Sequence, residues 1–173
     1  AWIGKSEGME IKFKVQSSKF KVEEEITAYT VFPETIFGVT YMVLAPEHNL
    51  VSEITTEQQK EQLEEYIKKS QKKSQQERIS LDKQKTGVFT GSYCVNPVNG
   101  KAVPIWIADY VIAGYGTGAV MGVPGSDHRD FEFAKKYELE IVRVIGKDKS
   151  DTGSVEDESG VLEEGVLANS GQF

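Results

Sequence analysis

Short strand-like runs, each closed by glycine or proline, are the feature that most limits what this chain can fold into. Over residues 9–22 apolar and polar side chains alternate through Ile11, Phe13 and Val15, then Phe20 and Val22 after a polar interval at residues 16–19. Alternation with period two puts one face of a strand on a core and the other in water, so this stretch predicts a hairpin. Residues 25–30, rich in β-branched and aromatic side chains, predict a third strand, halted by Pro33. Residues 41–45 are continuously apolar up to Pro46, as expected of a strand covered on both faces. Residues 87–91, 93–95 and 102–107 read as a further strand pair around the turn Asn96-Pro97-Val98-Asn99-Gly100, and residues 119–123 as one more strand, ended by Pro124.

One stretch breaks this rhythm. Residues 55–79 contain neither glycine nor proline and are dominated by Glu, Gln, Lys and Ser, with Thr55 or Thr56 placed to cap a start. That predicts one helix, docked through Leu63, Tyr66 and Ile67, with residues 68–78 mostly solvated; its lysines read as a solvated face rather than a nucleic-acid contact. A second helix is expected to start at Ser126 or Asp127 and reach about Leu139, with Phe131, Phe133, Ala134 and Tyr137 as its apolar stripe. Residues 147–164 are acidic and irregular, before Val166 and Leu167 and a closing turn at Asn169-Ser170-Gly171. The sum is an α+β fold, a β-barrel-like core of short strands decorated by two or three helices, within a single domain over residues 1–173.

The 27 acidic residues exceed the 20 basic ones, for a net charge of -7, which opposes strong intrinsic attraction to phosphate backbones. Cys94 is the single cysteine, so an internal disulfide is impossible, and without a CxxC or Cys/His cluster no structural zinc is expected. A reducing, cytosol-like setting fits. There is no secretory leader pattern at Ala1 and no apolar run long enough to span a bilayer, so no membrane association is expected. Both ends, lacking an initiating Met or a polar tail, are expected to be cuts from a longer protein. A serine hydrolase is disfavoured by the lack of a GxSxG elbow, and a nucleotide-binding loop by the lack of a P-loop lysine and GxGxxG spacing in residues 114–118.

Two segments set small polar side chains among glycines and prolines at strand ends, where side chains converge. The first is Thr30-Val31-Phe32-Pro33-Glu34-Thr35; the second runs from Gly116-Thr117-Gly118-Ala119-Val120-Met121 through Gly122-Val123-Pro124-Gly125-Ser126-Asp127-His128-Arg129-Asp130. The second resembles the GTGAVMxVPxxDxRDxEF signature of leucyl-tRNA synthetase editing domains, continued by Phe131-Glu132-Phe133-Ala134, and the first resembles that family's threonine-rich segment. The likeness extends to Trp2-Ile3-Gly4-Lys5-Ser6-Glu7-Gly8 and to Gly165-Val166-Leu167-Ala168-Asn169-Ser170-Gly171, so it covers nearly the whole chain. Isoleucyl and valyl editing domains share the GTG segment but usually not the Met-x-Val-Pro and Arg-Asp-x-Glu-Phe spacing.

The resemblance implies a metal-free, cofactor-free hydrolase that cleaves the ester between tRNA(Leu) and norvaline, isoleucine or methionine. Its partners would be the tRNA 3' end and the remainder of the synthetase, the domain itself being monomeric and cytoplasmic. It implies that Asp130 anchors the substrate ammonium, that Thr30 orients water or stabilises the oxyanion, and that Thr35 blocks leucine. Tyr115 would lie by the terminal adenosine, Met121 and Val123 would line the side-chain pocket, and Asp127 and His128 would lie within reach of substrate. Each residue also has a plainer use: Asp130 complements a helix dipole, Asp127 caps the helix, Thr30 favours a strand, and Met121 and Val123 fill a core. The chain departs from the family pattern at Val31, Phe32 and Ser126, where a hydroxyl, a cation and a histidine are common. Those departures leave open an alternative, a barrel that holds the tRNA end or a partner without hydrolysing it. No HIGH or KMSKS signature is present, so aminoacylation by this chain alone is not expected.

Overall fold

The computed structural model describes residues 9–16, 24–30, 33–80, 85–114, 116–125, 127–142, 145–146 and 166–167. Six strands form one mixed sheet in the order β2-β1-β4-β5-β3-β6: β1 (Met9–Gln16), β2 (Glu25–Thr30), β3 (Tyr41–Leu44), β4 (Val88–Val95), β5 (Ala102–Ile107) and β6 (Ala119–Gly122). The two edge strands, β2 and β6, approach one another, so the sheet curls into a nearly closed barrel. A separate two-stranded ladder joins β7 (Ile145–Gly146) to β8 (Val166–Leu167).

Alternation did its work on β1. Ile11, Phe13 and Val15 are buried and the residues between them exposed. Its antiparallel partner is β2, from Met9 opposite Thr30 to Lys14 opposite Glu25, so the expected third strand is the one that closes the hairpin; Phe20 and Val22 lie outside the described residues. The far end of β1 pairs with β4 through Lys14, Val15 and Gln16. On β3 all four residues are buried, because its two faces meet different partners. Met42 and Leu44 point into the barrel with Phe13, Ile26, Ile105 and Ile107, while Tyr41 and Val43 pack outward beneath Phe133 and Ala134 of helix α4 (His128–Lys136). At roughly 1.5–3 kcal/mol per fully buried aliphatic or aromatic side chain, these two layers supply the main driving force for closure.

The two runs expected at residues 87–91 and 93–95 are one strand, β4, with a register shift between Phe89 and Tyr93. Gly91 sits there at φ 86°, and a Cβ on it would collide with the side chain of Thr56, so the site requires glycine twice over. Residues 109–111 turn the chain away from the end of β5.

The single helix expected over residues 55–79 is broken. A one-turn helix, α1 (Val51–Ile54), precedes α2 (Glu57–Gln71), and a turn at residues 72–74 separates α2 from α3 (Gln75–Ile79), so with α4 four helices surround the barrel among the described residues. Ser74 causes the restart, its hydroxyl accepting the Glu77 N–H as an N-cap. Thr56 occupies the N-cap position of α2 but its side chain is turned to the Thr90 carbonyl instead. Leu63 docks in the core with Tyr66 and Ile67 against it, as the pattern implied. Residues 68–78 are mostly exposed, as expected, with Ser70 and Arg78 as the buried exceptions. None of the helices among the described residues is long and apolar enough to cross a membrane.

Candidate functional site

The site lies where β6 ends and α4 begins. Strand β6 runs antiparallel to β3, placing Met121 opposite Met42 on the barrel interior and leaving Val120 facing outward. Gly122 pairs with Tyr41, and a Cβ on Gly122 would collide with the Tyr41 ring, so only glycine lets that ring cross the strand. Having crossed, the Tyr41 hydroxyl donates to the Asp130 carbonyl oxygen at 3.1 Å, and its ring stacks on Phe133 with centroids 5.2 Å apart. Tyr41 thereby ties the barrel to the first turns of α4, a role that its place in an apolar run did not reveal.

Asp127 is the N-cap of α4, accepting the Arg129 N–H at 2.9 Å and the Asp130 N–H at 3.1 Å through Oδ1. The structure therefore supports its capping use. Replacing Asp127 by alanine is expected to lower unfolding stability by about 1 kcal/mol, the usual worth of such a cap. An unchanged denaturant midpoint would show that the cap contributes nothing here.

Asp130 does more than complement a dipole. It is buried, and its Oδ2 accepts the Val123 N–H at 2.9 Å, so the carboxyl bridges the end of β6 and the helix. Burial raises its pKa from 3.8 to about 7, with the Asp127 charge adding to the rise; the Val123 N–H bond, the Arg129 cation and the Tyr41 hydroxyl oppose it. A carboxyl titrating near neutrality at a strand end is the kind of group that functional sites collect. Val123 is itself buried in the barrel core.

The other sequence-singled residues arrive by topology. Thr30 is the half-buried last residue of β2, the edge strand beside β6. Thr35 is buried in a 3₁₀ turn, Pro33–Gly38, that leads into β3. That turn is pinned by Asn96, fully buried, whose Nδ2 donates to the Ile36 carbonyl at 2.8 Å while its Oδ1 accepts the Val98 N–H. Asn96 had read only as a turn residue; its long-range use has no local signal. His128 is half-buried at the first position of α4. Tyr115, Val31, Phe32 and Ser126 lie outside the described residues. Cys94 is buried in the core, where desolvation pushes its thiol up to about 12, so it is no nucleophile. No group of three or more His, Cys, Asp or Glu side chains suited to a metal occurs among the described residues.

A family model described as "Leucyl-tRNA synthetase, editing domain" matches residues 1–173. The chain belongs to that family. It is 56% identical over 172 residues to a leucine--tRNA ligase of Caldanaerobacter subterraneus subsp. tengcongensis, covering 99% of this chain and 20% of that protein. It is 54% identical over 146 residues to the leucine--tRNA ligase of Borrelia hermsii, covering 84% of this chain and 17% of the relative. Among solved structures, a chain of the ternary complex of Agrobacterium radiobacter K84 agnB2 LeuRS-tRNA-LeuAMS superposes with TM-score 0.67 and 34% identity, over 92% of this chain and 18% of that one. The α+β, nearly closed barrel is thus the fold of a leucyl-tRNA synthetase editing domain, and the chain spans about one fifth of the length of the ligases it resembles.

Proposed function

We propose that this editing domain hydrolyses the ester linking a noncognate amino acid to the 3' end of tRNA(Leu), and that it spares leucine by steric exclusion. The single observation that carries this reading is Asp130, a buried carboxyl locked to the Val123 N–H at the junction of β6 and α4. An aminoacyl ester bears an α-ammonium next to its carbonyl, and a fixed carboxylate that pairs with that ammonium holds the scissile bond in one place. Binding such a cation restores the charged form of Asp130, offsetting the desolvation that otherwise favours its protonation.

In this scheme Thr30 offers its hydroxyl to the attacking water or the developing oxyanion. Met121 and Val123 form the apolar wall for the amino-acid side chain, and Thr35 closes that pocket to leucine. Tyr115 lies by the terminal adenosine, with Asp127 and His128 at the rim. Norvaline, isoleucine and methionine are the substrates such a pocket admits. The net charge of -7 implies that affinity for tRNA resides mainly in the rest of a cytoplasmic ligase, with this segment acting as its proofreading unit on the tRNA end.

The test is deacylation of isoleucyl- and norvalyl-tRNA(Leu) against leucyl-tRNA(Leu) in EDTA, by a ligase carrying this segment and then by the segment alone. Hydrolysis of the noncognate esters, with leucyl-tRNA spared, is the expected result. A complete ligase that binds tRNA but clears none of these esters would favour a non-hydrolytic barrel, for which the departures at Val31, Phe32 and Ser126 speak.

A further inference from the structure

The helical segment after β3 grips the chain that leads from β5 into β6 at four points. Arg78, buried on α3, donates from Nε to the Asp109 carbonyl at 2.6 Å and from one terminal nitrogen to the Val111 carbonyl at 3.0 Å. Both its terminal nitrogens also meet the Glu47 carboxylate, in the turn that follows β3. From α2, the Tyr66 hydroxyl accepts the Asp109 N–H at 3.0 Å. Between the two helices, Lys73 Nζ pairs with Asp109 Oδ2 at 2.7 Å. Beyond this grip the chain turns at residues 113–114 and 116–118, where the Gly118 carbonyl accepts the Ala45 N–H at 2.9 Å, and enters β6, which carries Met121 and is followed by Val123.

We propose that Arg78, braced by Glu47, is a positioning residue for this binding wall: the guanidinium sets where residues 109–111 leave the barrel and hence where β6 meets the substrate. A planar fork satisfying two carbonyls and a carboxylate at once fixes direction as well as distance, which a lysine cannot reproduce. The helical segment is therefore part of the site's framework rather than a solvated appendage. The inference rests on the hydrolytic reading for its kinetic consequence, but not for the grip itself.

Arg78→Lys in a ligase carrying this segment separates positioning from mere stability. The wall binds but does not react, so KM for norvalyl-tRNA(Leu) is expected to rise ~tenfold with kcat held within about twofold. A simple loss of folded enzyme would lower kcat at constant KM. Amide hydrogen exchange of the same variant should accelerate at residues 109–114 while α4 stays protected. Should Arg78→Lys fail to fold, Glu47→Gln, which keeps both carbonyl bonds, must show the same exchange change and KM rise to a smaller degree. An unchanged KM, or exchange that quickens only within residues 57–79, would overturn the proposal. If the unaltered ligase hydrolyses no ester at all, the hydrolytic reading fails, and exchange at residues 109–114 alone decides the grip.

Discussion

Asp130→Ala is expected to cut hydrolysis of norvalyl- and isoleucyl-tRNA(Leu) by ~10²-fold or more, since loss of a group that fixes reacting geometry commonly costs that much. The carboxyl is buried and accepts the Val123 N–H, so alanine removes the anion and leaves that amide without this acceptor. Asp130→Asn separates the two effects. Its amide oxygen keeps the bond to Val123 and nearly the volume, but no longer pairs with an ammonium. Loss of activity in both variants assigns the effect to charge; an active Asn variant would reduce Asp130 to a structural clasp.

The same residue sets a pH dependence with a definite sign. Its folded pKa, about 7, lies above the unfolded value near 3.8, because burial and the Asp127 charge penalise the carboxylate. Between those values the native state binds the extra proton, so the group's contribution to stability is fully present below pH 3.8 and is lost as pH rises through about 7. Activity runs the other way. The ammonium-binding form is the ionised one, so kcat/KM, after subtraction of spontaneous hydrolysis, should climb with a midpoint near 7, and Asp127→Ala should move that limb to lower pH. The Arg129 cation lowers the Asp130 pKa and so acts in the same direction as that change.

Thr35→Ala carries the second large effect, on selectivity rather than rate. Thr35 is buried in the 3₁₀ turn that Asn96 pins from β4's end, so removal of its hydroxyl and methyl opens space that the turn cannot readily refill. Because pockets discriminate one methylene by only ~1–3 kcal/mol, opening this one should raise leucyl-tRNA(Leu) deacylation by about 10–100-fold while noncognate clearance stays close to its original rate. The assay is the initial rate of leucyl-tRNA(Leu) deacylation by the two ligases. Leucine still refused by the variant would mean that exclusion resides elsewhere, with Met121 and Val123 the next residues to enlarge or trim.

Several elements were legible along the chain because their causes are local. Period-two alternation in β1, the Asn-Pro-Val-Asn-Gly turn between β4 and β5, the proline that ends the 119–123 run, and the Asp127 cap all act within a few residues. The continuous apolar run of β3 was readable for a similar reason: a strand lying between the barrel interior and α4 needs apolar side chains on both faces. The residue pattern from Met121 to Asp130 pointed to its family before any geometry, since the spacing of Met, Val-Pro and Arg-Asp is unusual outside it.

What the sequence could not decide were matters settled by partners far away in the chain. Arg78 sits in a run of Lys, Gln, Ser and Glu that any pattern assigns to solvent, yet it is buried and bonded to Glu47, Asp109 and Val111. Asp130 reads as an ordinary first-turn acid until Tyr41, crossing the space that Gly122 leaves free, ties the helix to the barrel, where burial raises the carboxyl's pKa toward neutrality against the opposing Tyr41 hydroxyl. Local propensity and periodicity determine which segments become strands and helices. Burial, desolvation and charge pairing depend on which of those segments meet, so the chemistry of Asp130 and the grip of Arg78 exist only in the tertiary structure.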